Sequence, residues 1–184
     1  MVYIDNKLVG ICTLGMIPCA TEYVKWRDLK IDILELNRLF TIDGLPPNTL
    51  SKFVSKVFKL LKKDGEFILI SYSDIDQHHN GIIYQATSWY YTGIGAKGDG
   101  DIILNNGKKL HGKWRQKYKN DIKEILKNTG KHRYYKIIGS KTFKKKVKKI
   151  LYNMHNILPY PKGENIKYDI GKVTTNFSIN KWIK

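Results

Sequence analysis

From Leu50 to Leu61 apolar side chains recur at steps of one, three and four, at Leu50, Phe53, Val54, Val57, Phe58 and Leu61, with Lys52, Lys56, Lys59 and Lys63 elsewhere. That spacing paints one apolar stripe along a helix, and Asn48 or Thr49 supplies a cap ahead of it. Asp64 and Gly65 end the helix, and Glu66 to Tyr72 follows as a short, largely apolar run expected to be a buried strand. On the other side, Ile31 to Thr41 suits a strand that stops at the turn residues Asp43, Gly44, Pro46 and Pro47. Strand, helix, strand in that order commits the chain to a mixed α/β architecture, because the helix stripe needs a sheet face to cover.

The remaining segments fit around this unit. Lys7 to Ile17 reads as a strand, Lys131 to Ile138 as another, and Lys141 to Tyr152 as a lysine-rich helix burying Phe143, Val147, Ile150 and Leu151. In Asn80 to Thr92 the positions of Ile83, Ala86 and Tyr90 suit a helix while the residue types suit a strand; a helix is expected. Trp114 to Leu126, with Ile122, Ile125 and Leu126, is also expected to be helical. Gly93 to Gly107 is glycine-rich and suggests a strand pair or loop. Its GIGAKGDG run lacks the GxxxxGK[ST] pattern of a phosphate loop and reads as a turn. With no repeat or linker visible, residues 1–163 are expected to form one domain whose basic part starts at about residue 102, and residues 164–184 a polar tail.

Charge narrows the partners. The 33 Lys and Arg against 16 Asp and Glu give +17, and the excess is confined to one half: residues 1–101 carry net −1 and residues 102–184 net +18. A concentrated positive field attracts polyanions, and counterion release supplies affinity for nucleic acid ahead of an anionic membrane surface. No stretch is long and apolar enough to span a bilayer. Two cysteines, Cys12 and Cys19, are too few for a disulfide framework, which fits a reducing cytoplasm. Leu8 to Ala20 could mimic a signal peptide core, but Gly10, Gly15 and Pro18 interrupt it and a buried strand is the expectation.

Residues 71–91, SYSDIDQHHNGIIYQATSWYY, concentrate acids, histidines and aromatic rings at a strand end, where ligand sites of mixed α/β folds gather. Asp74 can accept a proton, and Tyr84 can donate one or hold a polarised oxygen; a helix cap and core packing are the bland alternatives. Asp74, Asp76, His78 and His79 could gather a divalent metal only with distant ligands such as His111 or His132. Trp89, Tyr90, Tyr91 and Trp114 are core rings or faces on which an extruded base stacks. Between Lys131 and Tyr152 stand eight lysines, one arginine and no acid, a pattern suited to phosphate contacts. Lys131, His132, Arg133, Lys141, Lys144, Lys145 and Lys148 are therefore the candidate DNA-binding residues.

Six segments taken in order carry a resemblance: ELNRLF at Glu35 to Phe40, PNTLSKF at Pro47 to Phe53, ISYSD at Ile70 to Asp74, HNGIIYQATSWYYTG at His79 to Gly93, KHRYY at Lys131 to Tyr135, and PYPK at Pro159 to Lys162. Together they resemble the Mom DNA-modification proteins of Mu-like phages, a branch of the GNAT acyltransferase superfamily. The resemblance implies a GNAT-like central mixed, mostly antiparallel sheet flanked by helices. It also implies conversion of adenine in DNA to an N6-carbamoylmethyl-type derivative that protects phage DNA from restriction, in the cytoplasm of a bacterial host. The family's functional positions fall on Arg38, Ser51, Asp74 and Tyr84. Arg38 and Ser51 would bind an anionic donor or phosphate, and Asp74 and Tyr84 would manage protons around the amine.

Two departures qualify the donor and metal. The usual GNAT pyrophosphate loop is absent after Phe40, where the chain reads TIDGLPPNTLS, so the donor is unknown, with acyl-CoA a possible donor that lacks its usual loop here. The family pattern favours Gly before its His, whereas His78 precedes His79 here; iron is a possible cofactor, with His79 its candidate ligand. The implied partner is double-stranded DNA with a flipped adenine. Two other functions remain open: a GNAT acyltransferase acting on RNA or protein amines, and a catalytically inert DNA-binding protein on a GNAT scaffold.

Overall fold

The structure, a computed structural model, describes residues 1–95 and 98–163. The expected polar tail at 164–184 lies outside the described residues. In chain order the elements are β1 (Val2–Ile4), β2 (Lys7–Gly15), α1 (Ala20–Asp28), β3 (Ile33–Thr41), α2 (Thr49–Asp64), β4 (Phe67–Asp74), α3 (Ile82–Ala86), β5 (Tyr90–Ile94), β6 (Gly98–Leu104), β7 (Lys109–Leu110), β8 (Ile122–Asn128), β9 (Lys131–Ile138) and α4 (Lys141–Met154). A 3-10 turn at Gly112–Trp114 lies between β7 and β8. No helix among the described residues is long and apolar enough to cross a membrane.

Six strands form one mixed sheet in the order β1-β2-β3-β4-β9-β5, and β7-β6-β8 form a separate antiparallel sheet. Within the large sheet only β3 and β4 run parallel, because α2 is the crossover between them. Helices α1 and α4 cover one face, where Trp26, Ile33, Ile68, Ile70, Tyr135, Val147 and Leu151 form a buried cluster. Helices α2 and α3 cover the other, over Leu36, Leu69, Tyr84, Trp89, Tyr91 and Tyr134.

The expected strand-helix-strand unit is present, with the amphipathic helix over Thr49–Asp64. Its start differs from a simple cap: Asn48 has φ 63° and caps with no side-chain bond, while Thr49 Oγ1 donates to the Pro46 carbonyl at 2.6 Å. Helix α4 is capped by Ser140, whose Oγ accepts from Phe143 N at 3.1 Å.

Two expected helices are interrupted by strand. Only Ile82–Ala86 is helical in Asn80 to Thr92; Ser88, at φ 57°, reverses the chain, and Tyr90–Ile94 joins the sheet edge beside β9. Of Trp114 to Leu126, Ile122 onward is strand, because Ile122 and Ile125 pair with Leu104 and Ile102 of β6, the latter wholly buried. Pairing with a distant strand overrides a local spacing that suits either period. Helix α1, not anticipated from sequence, buries Trp26.

Strands β3 and β4 share only a short parallel ladder, Ile33 to Ile68, Leu34 to Leu69 and Glu35 to Ile70. Beyond Glu35, β3 stays with β2 as far as Thr41, while β4 stays with β9 as far as Asp74 opposite Lys131. The two strands therefore part at Glu35 and leave a fork in the middle of the sheet. A bulge also sits on β3 here: Leu36 faces Leu14 and Arg38 faces Thr13, leaving Asn37 as the extra residue.

Candidate functional site

On the α2/α3 face the fork is closed by side chains. Ser71 Oγ donates to the Leu36 carbonyl at 2.9 Å, bridging the parted strands in place of a ladder bond. With that proton committed, the Tyr84 hydroxyl, 2.8 Å from Ser71 Oγ, is the donor to it. Tyr84 stacks on Tyr134 at 4.7 Å and meets Trp89 edge-on at 5.1 Å. Burial raises its pKa, so it is a neutral phenol at physiological pH. Gly81 makes the approach possible: it has φ 65°, and a Cβ there would sit 2.7 Å from the Tyr134 ring and hydroxyl.

On the α1/α4 face the same fork opens into a cleft of about 330 Å³ lined by Pro18, Cys19, Glu35, Tyr72, Gly95, Asn128, Gly130 and Lys131. Glu35, two residues past the buried Ile33, places its carboxylate here. Its Oε2 is buried and has no hydrogen-bond partner. Burial raises the Glu35 pKa, opposed by the positive charge of Lys131. Burial, followed by the negative charge of Glu22, holds Tyr72 well above the ordinary phenol range. Beside the cleft, Asp74 accepts from Asp76 N at 3.0 Å through Oδ1 and lies 3.5 Å from Lys131 Nζ through Oδ2. Two carboxylates thus share one lysine at the open end of the fork. Cys19 adds a thiol whose pKa is lowered by a side-chain hydrogen bond with Thr21.

The wall behind the cleft is fixed by a buried carboxylate. Glu22 of α1 accepts from Trp26 Nε1 at 3.0 Å and from the Tyr135 hydroxyl at 2.5 Å, and lies 3.7 Å from His155 Nε2. Its pKa falls to about 2 because hydrogen bonds from His155, Tyr135 and Trp26 outweigh the opposing effect of burial. This network ties α1, and with it Cys19, to β9 and the end of α4.

The four residues carried over from the family surround the fork without meeting. Asp74 borders the cleft and Tyr84 plugs the opposite face, so the expected pocket between them is divided by the sheet. Arg38 is exposed on β3, and its guanidinium forms no ion pair among the described residues. Ser51 Oγ donates to the Asn48 carbonyl at 3.0 Å, so its proton is taken up by the first turn of α2. Thr49 is turned inward likewise, its hydroxyl committed to the Pro46 carbonyl. Among the described residues no three His, Cys, Asp or Glu side chains gather to hold a metal. His79 follows Asp74 in the loop after β4, its backbone N–H donating to the Asp74 carbonyl at 3.0 Å.

Two of the candidate DNA-binding residues hold partners within the fold. His132 is buried, its Nδ1 2.8 Å from the Tyr91 hydroxyl, and burial lowers its pKa. Arg133 donates to Thr92 Oγ1 at 2.9 Å and lies 3.2 Å from His155 Nδ1, inside the α1/α4 side of the sheet. Lys131 stands at the cleft. Lys141, Lys144, Lys145 and Lys148 are exposed on α4, but that helix starts at the far end of β9 and only returns toward the cleft. Along eight strand residues Lys141 begins roughly 25 Å from Asp74.

Sequence reasoning passed over Glu35, although it heads the ELNRLF segment, and passed over Tyr72 and the second sheet. Asn128 at the end of β8 and Gly130 beyond it line the cleft, so the small sheet, in which Lys109 pairs with Asp101 and Lys127 with Asp99, borders the opening.

No curated protein matches the chain. The profile of the Mom protein family matches residues 2–162, nearly the whole of the described structure and every segment that carries the resemblance, and the chain therefore belongs to the Mom protein family.

Proposed function

We propose that the chain is a phage DNA-modification enzyme that alkylates the exocyclic amine of adenine, giving an N6-carbamoylmethyl-type derivative that shields DNA from restriction. The observation that carries this reading is the cleft itself: an unpartnered, buried Glu35 oxygen beside the Asp74–Lys131 pair. Membership of the family and the mixed, mostly antiparallel sheet support it.

Adenine N6 is a weak nucleophile because its lone pair is delocalised into the ring, and inside a duplex it is shielded. A base flipped into the cleft meets both needs. As N6 forms its bond to the incoming carbon and the donor's leaving group departs, N6 must release a proton. Glu35 is suited to take it, since a carboxylate with a raised pKa is a better base near neutral pH than an ordinary one. Asp74, steadied by Lys131 and Asp76 N, accepts a hydrogen bond from the amine and orients it. Tyr84 is a positioning residue that holds the parted strands from behind through Ser71.

The test is nucleoside analysis of DNA from bacteria expressing the chain. A mass-shifted deoxyadenosine is expected, and Asp74→Ala should abolish it. Undiminished modification in that variant would reject the assignment. Salt-dependent DNA binding without an altered nucleoside would instead favour an inert DNA-binding protein, and acylated RNA or protein amines an acyltransferase.

A further inference from the structure

The turn between β7 and β8 carries a feature that the cleft chemistry does not use. Lys113 to Lys119 reads KWRQKYK, four cations and two aromatic rings in seven residues with no acid. Arg115 serves the fold: its Nη1 donates to Asp99 at 3.0 Å and its Nη2 to the Gly100 carbonyl at 3.5 Å. Gly112 packs so close to Gly100 that a Cβ would collide with its carbonyl. Both contacts pin the turn to the start of β6. That end of β6 pairs with Lys127 and Asn128 of β8, and Asn128 lines the cleft. The turn therefore stands at the cleft end of the second sheet.

Lys113, Lys117 and Lys119 are exposed and form no ion pair among the described residues. Between them Trp114 is 40% exposed, whereas Trp26 and Trp89 are 0% and 1% exposed. Lys113 and Lys117 hold their ammonium groups 5.5 and 5.3 Å from the Trp114 ring, and Tyr118 supports it edge-on at 6.5 Å. An exposed indole flanked by uncompensated lysines fits a polyanion that also offers flat aromatic faces, which is nucleic acid rather than an acidic protein or a lipid surface.

We propose that this turn is the duplex-gripping element of the chain: Lys113, Lys117 and Lys119 contact phosphates beside the target, and Trp114 stacks on a base exposed when the adenine leaves the helix. The inference rests on the DNA reading above and adds the surface by which DNA is held. The lysines that cover the indole swing to phosphate on binding and uncover its face.

The experiment uses the full chain and a short fluorescein-labelled DNA duplex, with anisotropy followed across a range of salt concentrations. Replacing Lys113, Lys117 and Lys119 together by Gln should lower the slope of log K against log salt by about 2.7, at about 0.9 per phosphate contact. Trp114→Ala should keep the wild-type slope but weaken binding by about 5- to 150-fold, with Trp114→Phe recovering most of it. Circular dichroism melts of each variant establish that it is folded, and Trp114→Phe and the lysine variant do not depend on the alanine variant folding. A wild-type slope in the lysine variant, wild-type affinity in folded Trp114→Ala, or tighter binding of an RNA duplex of the same sequence would overturn the proposal. If the wild-type chain binds no duplex at any salt, the DNA reading itself fails; if it binds and these variants bind equally, only the surface is wrong.

Discussion

Replacing Glu22 by glutamine removes one charge from the network behind the cleft while keeping a carbonyl that accepts hydrogen bonds from Tyr135 and Trp26. The native carboxylate is held at about 2 against 4.5 for an unperturbed glutamate. A group whose folded pKa is depressed contributes stability that is complete above its unfolded value and is lost as pH falls through the folded one. The window is therefore pH 4.5 down to about 2. The difference corresponds to about 3 kcal/mol at pH 7 and falls by about half at pH 3, where the unfolded chain already binds the proton. Glu22 is almost fully buried, so solvent screening does not reduce this appreciably. Urea unfolding of wild type and Glu22→Gln, followed by tryptophan fluorescence at pH 7 and pH 3, measures it, since both proteins share every other titrating group. The gap between their stabilities should narrow by about half from pH 7 to pH 3. An equal gap at both pH values, or none at pH 7, would refute the reasoning that hydrogen bonds to the charged form outweigh its burial.

Gly81→Ala should destabilise the chain by about 2–5 kcal/mol, from the left-handed backbone and displacement of the Tyr134 ring together, read by urea unfolding. A cost below 1 kcal/mol would show that the ring moves aside easily. Tyr84→Phe removes one donor from Ser71 but leaves the Ser71–Leu36 bridge, so it should cost about 1 kcal/mol of stability and leave adenine modification within a few-fold of wild type. Loss of modification in a folded Tyr84→Phe protein would restore Tyr84 as a proton-transfer residue.

What could be read in the sequence was what neighbours along the chain decide. The α2 stripe, its flanking strands and the α4 helix follow from periodicity that no distant partner contradicts. The β5 and β8 strands were hidden because their partners, Tyr134 with Tyr135 and Ile102 with Leu104, lie about 20 to 40 residues away along the chain. Charge counting could not show the surroundings of His132 and Arg133 for a related reason. Alternation along β9 turns His132 to Tyr91, where it is buried, and Arg133 to His155, where it is half-buried. The 71–91 segment pointed to Asp74, which stands beside the cleft next to Lys131, but it could not reveal Glu35. That carboxylate becomes unpartnered only when the β3–β4 fork and the Asn128–Gly130 connection close around it.

The most direct test of the account is the level of modified deoxyadenosine, relative to total deoxyadenosine, in DNA from cells expressing Glu35→Gln. Glutamine preserves size and hydrogen bonding but cannot take the N6 proton. Loss of a general base lowers rates by about 10²–10⁴-fold, so the modified nucleoside should fall at least about a hundredfold while the purified variant binds duplex DNA as wild type does. Wild-type levels of the modified base in Glu35→Gln DNA would contradict the claim that this cleft is where adenine gives up its proton.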